Sequence, residues 1–299
     1  MRGLGPMGRY RYVAVVFGDT AREAARRHGL SGAPAIALGR ALGAGLCLAT
    51  LTKGGERVTV QIHGDGPLTA VVADAQDDGQ VRGYIAGPPH LPLEPPEVGR
   101  PVLGAAIGTE GIVTVIRDLG MRENYVGQGE IVSGEIDGDI QRYLTVSEQI
   151  DSALCCEVVP DDAGGILRAA AVLVQALPDD GSSVVGDDVA SVRQALAEGA
   201  LWDLLSGPAA ERLDAGMLAA AVVPEGAVQV LSEVPVRFGC GCDDERVRAA
   251  LSTLGPADLD KLADERGAAE VTCQFCAEAH QWTADQVRAL AEKLRSTLN

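Results

Sequence analysis

Aromatic side chains are scarce in this sequence. Phe, Trp and Tyr together make up 3% of the 299 residues, while hydrophobic residues make up 46%. A core of this composition must be packed mainly from Ala, Val and Leu. Long apolar runs are lacking as well: the longest, residues 41–52, lies between Arg40 and Lys53 and is too short to cross a bilayer. We therefore expect no membrane partner.

Positive charge is also in short supply. Lys and Arg number 25 against 42 Asp and Glu, which gives a formal net charge of −17. A surface with this balance repels the phosphates of nucleic acids and the head groups of anionic lipids, so nucleic acid is not an expected partner either. The sequence has no G-x-x-x-x-G-K-[ST] phosphate-binding loop, and ATP-driven activity is therefore not indicated.

The first twenty residues do not resemble a secretory signal. Their apolar run is brief and is followed by Gly18-Asp19-Thr20 rather than by a small-residue cleavage site. Seven cysteines in such a chain indicate a reducing compartment, where thiols serve metal binding or redox chemistry rather than structural disulfides. We expect a cytoplasmic protein.

Strand and helix signals in the first half predict an α+β class with antiparallel sheets and packed helices. Thr20 and Glu23 form a capping-box pattern that predicts a helix ending near Gly29. Other predicted helices span 34–51 and 139–149. The predicted strands are 12–17, a meander of 57–63, 68–73 and 80–85, a hairpin of 111–118 and 124–133, and 154–159.

Three segments are predicted along the chain. Residues 1–185 form the α+β core, with a boundary signal at 179–183, and 186–239 form a helical linker with helices over 189–205 and 209–222. Residues 240–299 form a small C-terminal zinc-binding domain with helices over 256–266 and 283–298. A segment of sixty residues can bury only a small hydrophobic core, so this last segment requires an additional stabilising element.

Four of the seven cysteines lie in this last segment as two close pairs. Cys240 and Cys242 are separated from Cys273 and Cys276 by the 30 residues 243–272. Two pairs of thiolates across a helical spacer are the ligand set of a closed tetrahedral zinc site. The spacing therefore predicts one zinc ion bound by these four cysteines.

The sequence offers less support for other roles of this site than for a structural or redox-sensing zinc. His280 could replace one thiolate, but four cysteines already fill the shell, so a surface or packing role is favoured. A hydrolytic zinc needs an open position that four thiolates do not leave. Residues 240–299 contain seven Lys and Arg against eleven Asp and Glu, which disfavours a nucleic-acid-binding ribbon. A thiol-disulfide oxidoreductase and a constitutive zinc-stabilised interaction module stay open.

The C-x-C spacing of Cys240 and Cys242 indicates redox chemistry. A disulfide between cysteines two positions apart closes a small ring that is strained and easily reduced. The other cysteines, Cys47, Cys155 and Cys156, lie in apolar runs and are interpreted as inert core thiols. Cys155 and Cys156 should point to opposite faces of a strand. We find no catalytic site in the sequence.

These residues resemble the heat shock protein 33 family, the redox-regulated 33 kDa chaperonins. The resemblance covers nearly the whole chain. It is carried by Val236-Arg-Phe-Gly-Cys240-Gly-Cys242, Glu270-Val-Thr-Cys273-Gln-Phe-Cys276, Gly64-Asp65-Gly66-Pro67-Leu68, Arg82-Gly83-Tyr84-Ile85, Tyr125-Val-Gly-Gln-Gly129, Tyr143-Leu-Thr-Val-Ser147-Glu148-Gln149 and Val174-Gln175-Ala176-Leu177-Pro178. The chain departs from the family pattern at Ile150-Asp151-Ser152, where an apolar residue and Pro-Thr are usual, and at His280 and Trp282.

The resemblance implies an ATP-independent holdase that is inactive when reduced and zinc-bound. Oxidation would form the disulfides Cys240–Cys242 and Cys273–Cys276, expel zinc and unfold the C-terminal domain. Release of the linker would then expose apolar surface to unfolding client proteins, and the active form would be a homodimer. Loss of zinc should unfold the small domain, because the metal supplies on the order of 10 to 16 kcal/mol.

Overall fold

The computed structural model describes residues 1–52, 54–93, 99–177, 185–223 and 229–298. The chain divides into two compact units, Met1–Gly239 and Cys240–Asn299. The α+β class predicted from the sequence is confirmed, with antiparallel sheets and packed helices. The division of the first unit into a core and a linker stays a prediction, and its boundary signal at 179–183 lies outside the described residues.

The first unit contains two large sheets and the helices that pack on them. Its strands are β1 (Arg2–Leu4), β2 (Tyr10–Val16), β3 (Ser31–Gly32), β4 (Arg57–Gly64), β5 (Ala70–Gln76), β6 (Gln80–Ala86), β7 (His90–Leu91), β8 (Gly111–Asp118), β9 (Tyr125–Glu130), β10 (Ser152–Pro160), β11 (Ile166–Ala176), β12 (Gln229–Ser232) and β13 (Arg237–Phe238). Its α-helices are α1 (Gly18–Arg27), α2 (Ala33–Ala49), α3 (Gly104–Ile107), α4 (Asp137–Val146), α5 (Val185–Ala197), α6 (Ala200–Ser206) and α7 (Ala215–Val222).

The two sheets are mainly antiparallel. The first has the order β10-β11-β2-β1-β12, and the second has the order β13-β6-β5-β4-β8-β9, in which β13 pairs with β6 in parallel. The predicted meander and the predicted hairpin are both found in the second sheet, as β4–β5–β6 and β8–β9. The sequence predicts no strand at β11, because a run that is buried on both faces lacks polar alternation.

Helix α2 fills the space between the sheets. All of its residues are buried, and they contact strands of both sheets. Close packing depends on its glycines: a Cβ added at Gly43 would lie 2.8 Å from the Phe17 ring, and one at Gly39 would lie 2.8 Å from Val158. The surrounding core consists chiefly of Ala, Val, Leu and Ile, as the scarcity of aromatic residues predicts.

Helix α1 does not begin with the predicted capping box. Phe17 alone lies between the end of β2 and the start of the helix at Gly18. It is the N-cap and makes no side-chain capping bond, and Thr20 lies buried within the first turn. Glu23 pairs instead with Arg26 and Arg27 further along the helix. Burial of Phe17 in the core fixes the start of the helix, and this long-range contact overrides the local pattern.

A layer of three helices, α5, α6 and α7, covers the outer face of the first sheet, and we call it the helical layer. The single helix predicted over 189–205 is interrupted at Gly199, which has φ 99°. The segment predicted as a helix over 209–222 is a short 3-10 turn, Ala210–Arg212, followed by α7. The predicted helical linker also contains two strands, β12 and β13, which pair with β1 and β6.

A cluster of buried charged side chains links β10 of the first sheet to helices α2 and α4. Arg100 Nη1 lies 3.2 Å and Arg40 Nη2 3.8 Å from the carboxylate of Glu157 on β10, and Arg100 also binds Asp137 at 2.9 Å. Arg40 and Glu157 are both fully buried. Burial raises the pKa of Glu157 to about 7, although the two arginines lower it. Desolvation therefore outweighs the ion pairs at this carboxylate.

The raised pKa of Glu157 predicts a specific pH dependence of stability. The folded protein holds this proton more tightly than the unfolded chain, so the free energy of unfolding should fall as pH rises from about 4.5 to about 7. In the Glu157→Gln protein this fall in the free energy of unfolding should be smaller by roughly 3 kcal/mol or less. Urea denaturation at pH 5 and pH 7.5 measures it, with exposed Glu130→Gln as the control. Equal pH slopes in all three proteins would contradict the prediction.

The second unit is a small α+β domain with its own core. Its elements are α8 (Asp244–Ser252), α9 (Pro256–Arg266), β14 (Ala268–Thr272), β15 (Ala279–Thr283) and α10 (Ala284–Leu298). Strands β14 and β15 form an antiparallel hairpin. Helix α9 has the predicted bounds, and α10 begins one residue late because Thr283 caps it: Thr283 and Gln286 exchange side-chain to backbone hydrogen bonds.

Candidate metal centre

The four cysteines of the two predicted pairs are held by two short, well-bonded segments of the second unit. Cys242 precedes Asp243, which caps α8 by accepting a hydrogen bond from the Arg246 backbone N–H at 2.9 Å. Cys273 and Cys276 lie in the turn between β14 and β15. The Cys273 N–H donates to Glu278 O at 2.9 Å, and the Ala277 N–H donates to Cys273 O at 2.8 Å. Both segments therefore present thiols from fixed backbone.

The structure brings all four sulfur atoms together. Their Sγ atoms lie within 4.8 Å of one another. Cys240 and Cys273 are 3.7 Å apart, and Cys242 and Cys276 are 3.2 Å apart. Four sulfurs placed ~2.3 Å from a central zinc at tetrahedral angles are ~3.8 Å from each other. The separations are thus close to those of a metal-bound cluster and too long for disulfide bonds.

The electrostatics of this cluster favour a cation at its centre. Burial raises the pKa of the Cys242 thiol, and contacts with the other three thiols raise it further. Burial also raises the pKa of Cys276. Four adjacent thiols cannot all ionise unless a positive ion compensates their charge, and a divalent metal would stabilise the thiolates and release their protons. The donor set therefore fits a metal ion held by four sulfur ligands.

A second group of possible ligands adjoins the four thiols. Cys242, Glu278 and His280 each offer a ligand atom within 4.8 Å of the others. The sequence favoured a surface or packing role for His280, and Glu278 was not among the predicted ligands. Their position in the sequence could have indicated such a role. Both residues follow Cys276 within four positions, at the end of a turn that already carries ligands.

The remaining cysteines are placed as the sequence predicts. Cys155 and Cys156 are adjacent on β10 and belong to different clusters on its two faces, and Cys47 lies in α2. Burial raises the pKa of Cys47 to about 12 and that of Cys155 and Cys156 well above the usual range. These thiols are therefore unreactive while the first unit is folded.

No helix in the described part of the chain is both long enough and apolar enough to span a bilayer.

The comparisons with known proteins agree on one family. The family model described as "Hsp33 protein" matches residues 1–283. A 33 kDa chaperonin of Bacillus mycoides is 33% identical over 298 residues, covering 98% of both chains, and one of Bacillus cereus is 34% identical over 294 residues, covering 96% of both.

A solved structure shows the same fold. The crystal structure of the 33 kDa chaperonin (heat shock protein 33 homolog) of Thermotoga maritima aligns with a TM-score of 0.83 at 28% identity, and the match covers 99% of this chain and 98% of that one. Chaperones of this kind bind client proteins. The whole-chain match, the shared fold and the C-terminal cluster of four cysteines together show that the chain belongs to the Hsp33 family of chaperones.

Proposed function

We propose that this chain is a redox-regulated, ATP-independent holdase whose switch is a zinc ion bound by Cys240, Cys242, Cys273 and Cys276. The observation that carries the proposal is the gathering of four sulfurs at zinc-like separations in a unit with a small core. In the reduced state zinc would keep the second unit folded and the protein inactive. Four thiolates leave no open coordination position, so the zinc would serve structure and sensing rather than catalysis.

Oxidation would remove the ligands of the zinc. Hydrogen peroxide would oxidise Cys240 with Cys242 and Cys273 with Cys276 to two disulfides, and each peroxide would accept two electrons and two protons to leave as two water molecules. The oxidised sulfurs would no longer hold the zinc. Its loss would unfold residues 240–299, because the metal supplies on the order of 10 to 16 kcal/mol to small thiolate sites.

The helical layer supplies a surface that could bind clients. Leu201, Leu205 and Leu218 in this layer are fully or almost fully buried against the outer face of the first sheet. That face carries Val172 and Val174 of β11. Displacement of the helices would expose both apolar surfaces, which are suited to unfolding chains that also expose apolar side chains. Only Gly239 separates the end of β13 at Phe238 from Cys240, so the chain links the switch to this unit directly.

We expect the protein to act in the cytoplasm, where seven thiols stay reduced until stress occurs. We expect its oxidised form to be a homodimer. The partners would be unfolding proteins rather than nucleic acid or membranes, in keeping with the net charge of −17.

The test follows zinc and chaperone activity in the same samples. Reduced protein is treated with hydrogen peroxide at mildly raised temperature; a chromogenic chelator records zinc release, and light scattering records aggregation of a heat-denaturing client. We expect about one equivalent of zinc to be released as aggregation is suppressed. Cys47→Ala, which removes a thiol outside the cluster, should behave like the unsubstituted protein. Zinc release without suppression would overturn the switch.

A further inference from the structure

Strand β13 lies at one edge of the second sheet and pairs with a small part of its neighbour β6. It consists of two residues, Arg237 and Phe238, whereas β6 has seven. The pairing is parallel: the Arg237 N–H donates to Gly79 O and the Gly239 N–H donates to Val81 O, each at 3.1 Å. A strand this short covers β6 without occupying its full length.

The side chains of this segment face two different surroundings. Val236 and Phe238 are half-buried against the core of the first unit, and the Arg27 guanidinium lies 4.9 Å from the centre of the Phe238 ring. Arg237 is exposed; it donates to Asp78 O at 3.0 Å and pairs with the Asp78 carboxylate. Residues two apart in extended backbone point to the same side. The edge of β6 therefore accepts an extended segment that is apolar, basic and aromatic in turn.

The turn before β6 is shaped for the close approach of another chain. Gly79 has φ 82°, and a Cβ added there would lie 2.3 Å from Pro235 O. Any larger residue would hold the docked segment away from β6. The close contact is with a backbone oxygen, which every residue carries. The seat therefore does not depend on the side chain that follows the turn, and a chain other than β13 can occupy it.

We propose that, once β13 has left, the edge of β6 binds an extended apolar–basic–aromatic segment of an unfolding client by strand addition. This inference rests on the proposed function, in which unfolding of the second unit frees the chain that precedes Cys240. An uncovered sheet edge offers N–H and C=O groups to another chain, and strand addition is a general way to bind extended peptides. The site is separate from the face of the first sheet that the helical layer covers.

The test uses oxidised, zinc-free, full-length protein and a fluorescent peptide with the sequence of residues 234–239, Val-Pro-Val-Arg-Phe-Gly. Fluorescence anisotropy should show binding about tenfold or more tighter than to the reduced, zinc-bound protein, where β13 occupies the edge. N-methylation at the peptide's Arg removes the donor to Gly79 O and should weaken binding about tenfold. N-methylation at its Phe is the matched control. Alternate N–H groups of a strand point to opposite edges, so this one faces away from β6.

A benzophenone in place of the peptide's phenyl ring locates the bound segment. Cross-links should form in α1 near Arg27 or in β6, and saturating peptide should reduce the suppression of client aggregation. If the peptide does not bind, if both N-methylated peptides bind equally, if the cross-links lie elsewhere or if clients are not displaced, the edge of β6 is not a client site. The proposed holdase stands in each of those cases. Failure of the oxidised protein to suppress aggregation without peptide would refute the proposed function itself.

Discussion

Removal of the metal from the reduced protein is expected to unfold Cys240–Asn299 while the two large sheets of Met1–Gly239 stay folded. The second unit has a core of only a few buried apolar side chains, among them Val247, Leu259, Trp282 and Val287. A core of this size cannot offset the conformational entropy of sixty residues. The metal supplies on the order of 10 to 16 kcal/mol, more than the core can replace. The first unit has a large core of its own.

Limited proteolysis with mass spectrometry distinguishes the two units. After treatment with a strong zinc chelator under reducing conditions, cleavage should begin within residues 240–298, and a fragment that contains at least residues 1–177 should persist. Readdition of zinc should restore protection. Cys242→Ser/Cys276→Ser protein should be cleaved there with or without zinc, whereas Cys47→Ala should match the unsubstituted protein. Protection of residues 240–298 without metal would show that the core alone suffices.

Leu218→Asp is expected to make the reduced, zinc-bound protein bind clients without any oxidant. Leu218 lies in α7 and is fully buried against the first sheet. Loss of a buried leucine side chain costs ~2 to 5 kcal/mol, and a buried unpaired carboxylate adds several more. The helical layer should therefore detach while the second unit keeps its zinc. Suppression of client aggregation in the presence of reductant measures this gain.

Met217→Asp provides the matched control for that experiment. Met217 is the preceding residue of the same helix and is 44% exposed, so the same charge placed there should leave the layer docked and the reduced protein inactive. Zinc content, measured on both variants, should stay at one equivalent. If Leu218→Asp detaches the layer, seen as increased proteolysis at 200–222, but the reduced protein remains inactive, the helical layer does not cover the client-binding surface.

Local signals predicted some elements to the residue. Strand β8 has the predicted bounds of 111–118, and α9 has those of 256–266. In α9, Pro256 occupies the first helical position and Gly267, with φ 68°, ends the helix. Such capping depends on neighbours in the sequence, so it can be read without tertiary information. The predicted cap at Thr20 failed because the packing of Phe17 sets the start of α1.

Other elements depend on partners that are distant in the sequence. Strand β12 pairs with β1 across more than 220 residues, and β13 pairs with β6. A strand of two to four residues has too little pattern of its own to be recognised, because its hydrogen bonds define it. The break at Gly199 likewise serves the docking of α5 and α6 onto the sheet below them.

The sequence by itself determined the α+β class, the small C-terminal unit and the two cysteine pairs, since hydrophobic periodicity and ligand spacing are local properties. Only the tertiary structure decided which other groups stand beside those thiols. Asp244 and His280 are 36 positions apart in the chain yet 3.6 Å apart in space. The fold of the hairpin onto α8 creates this proximity. The raised pKa of Glu157 also depends on the tertiary structure. Segments that are distant in the sequence bury this carboxylate, so the residues next to it in the chain do not predict its pKa.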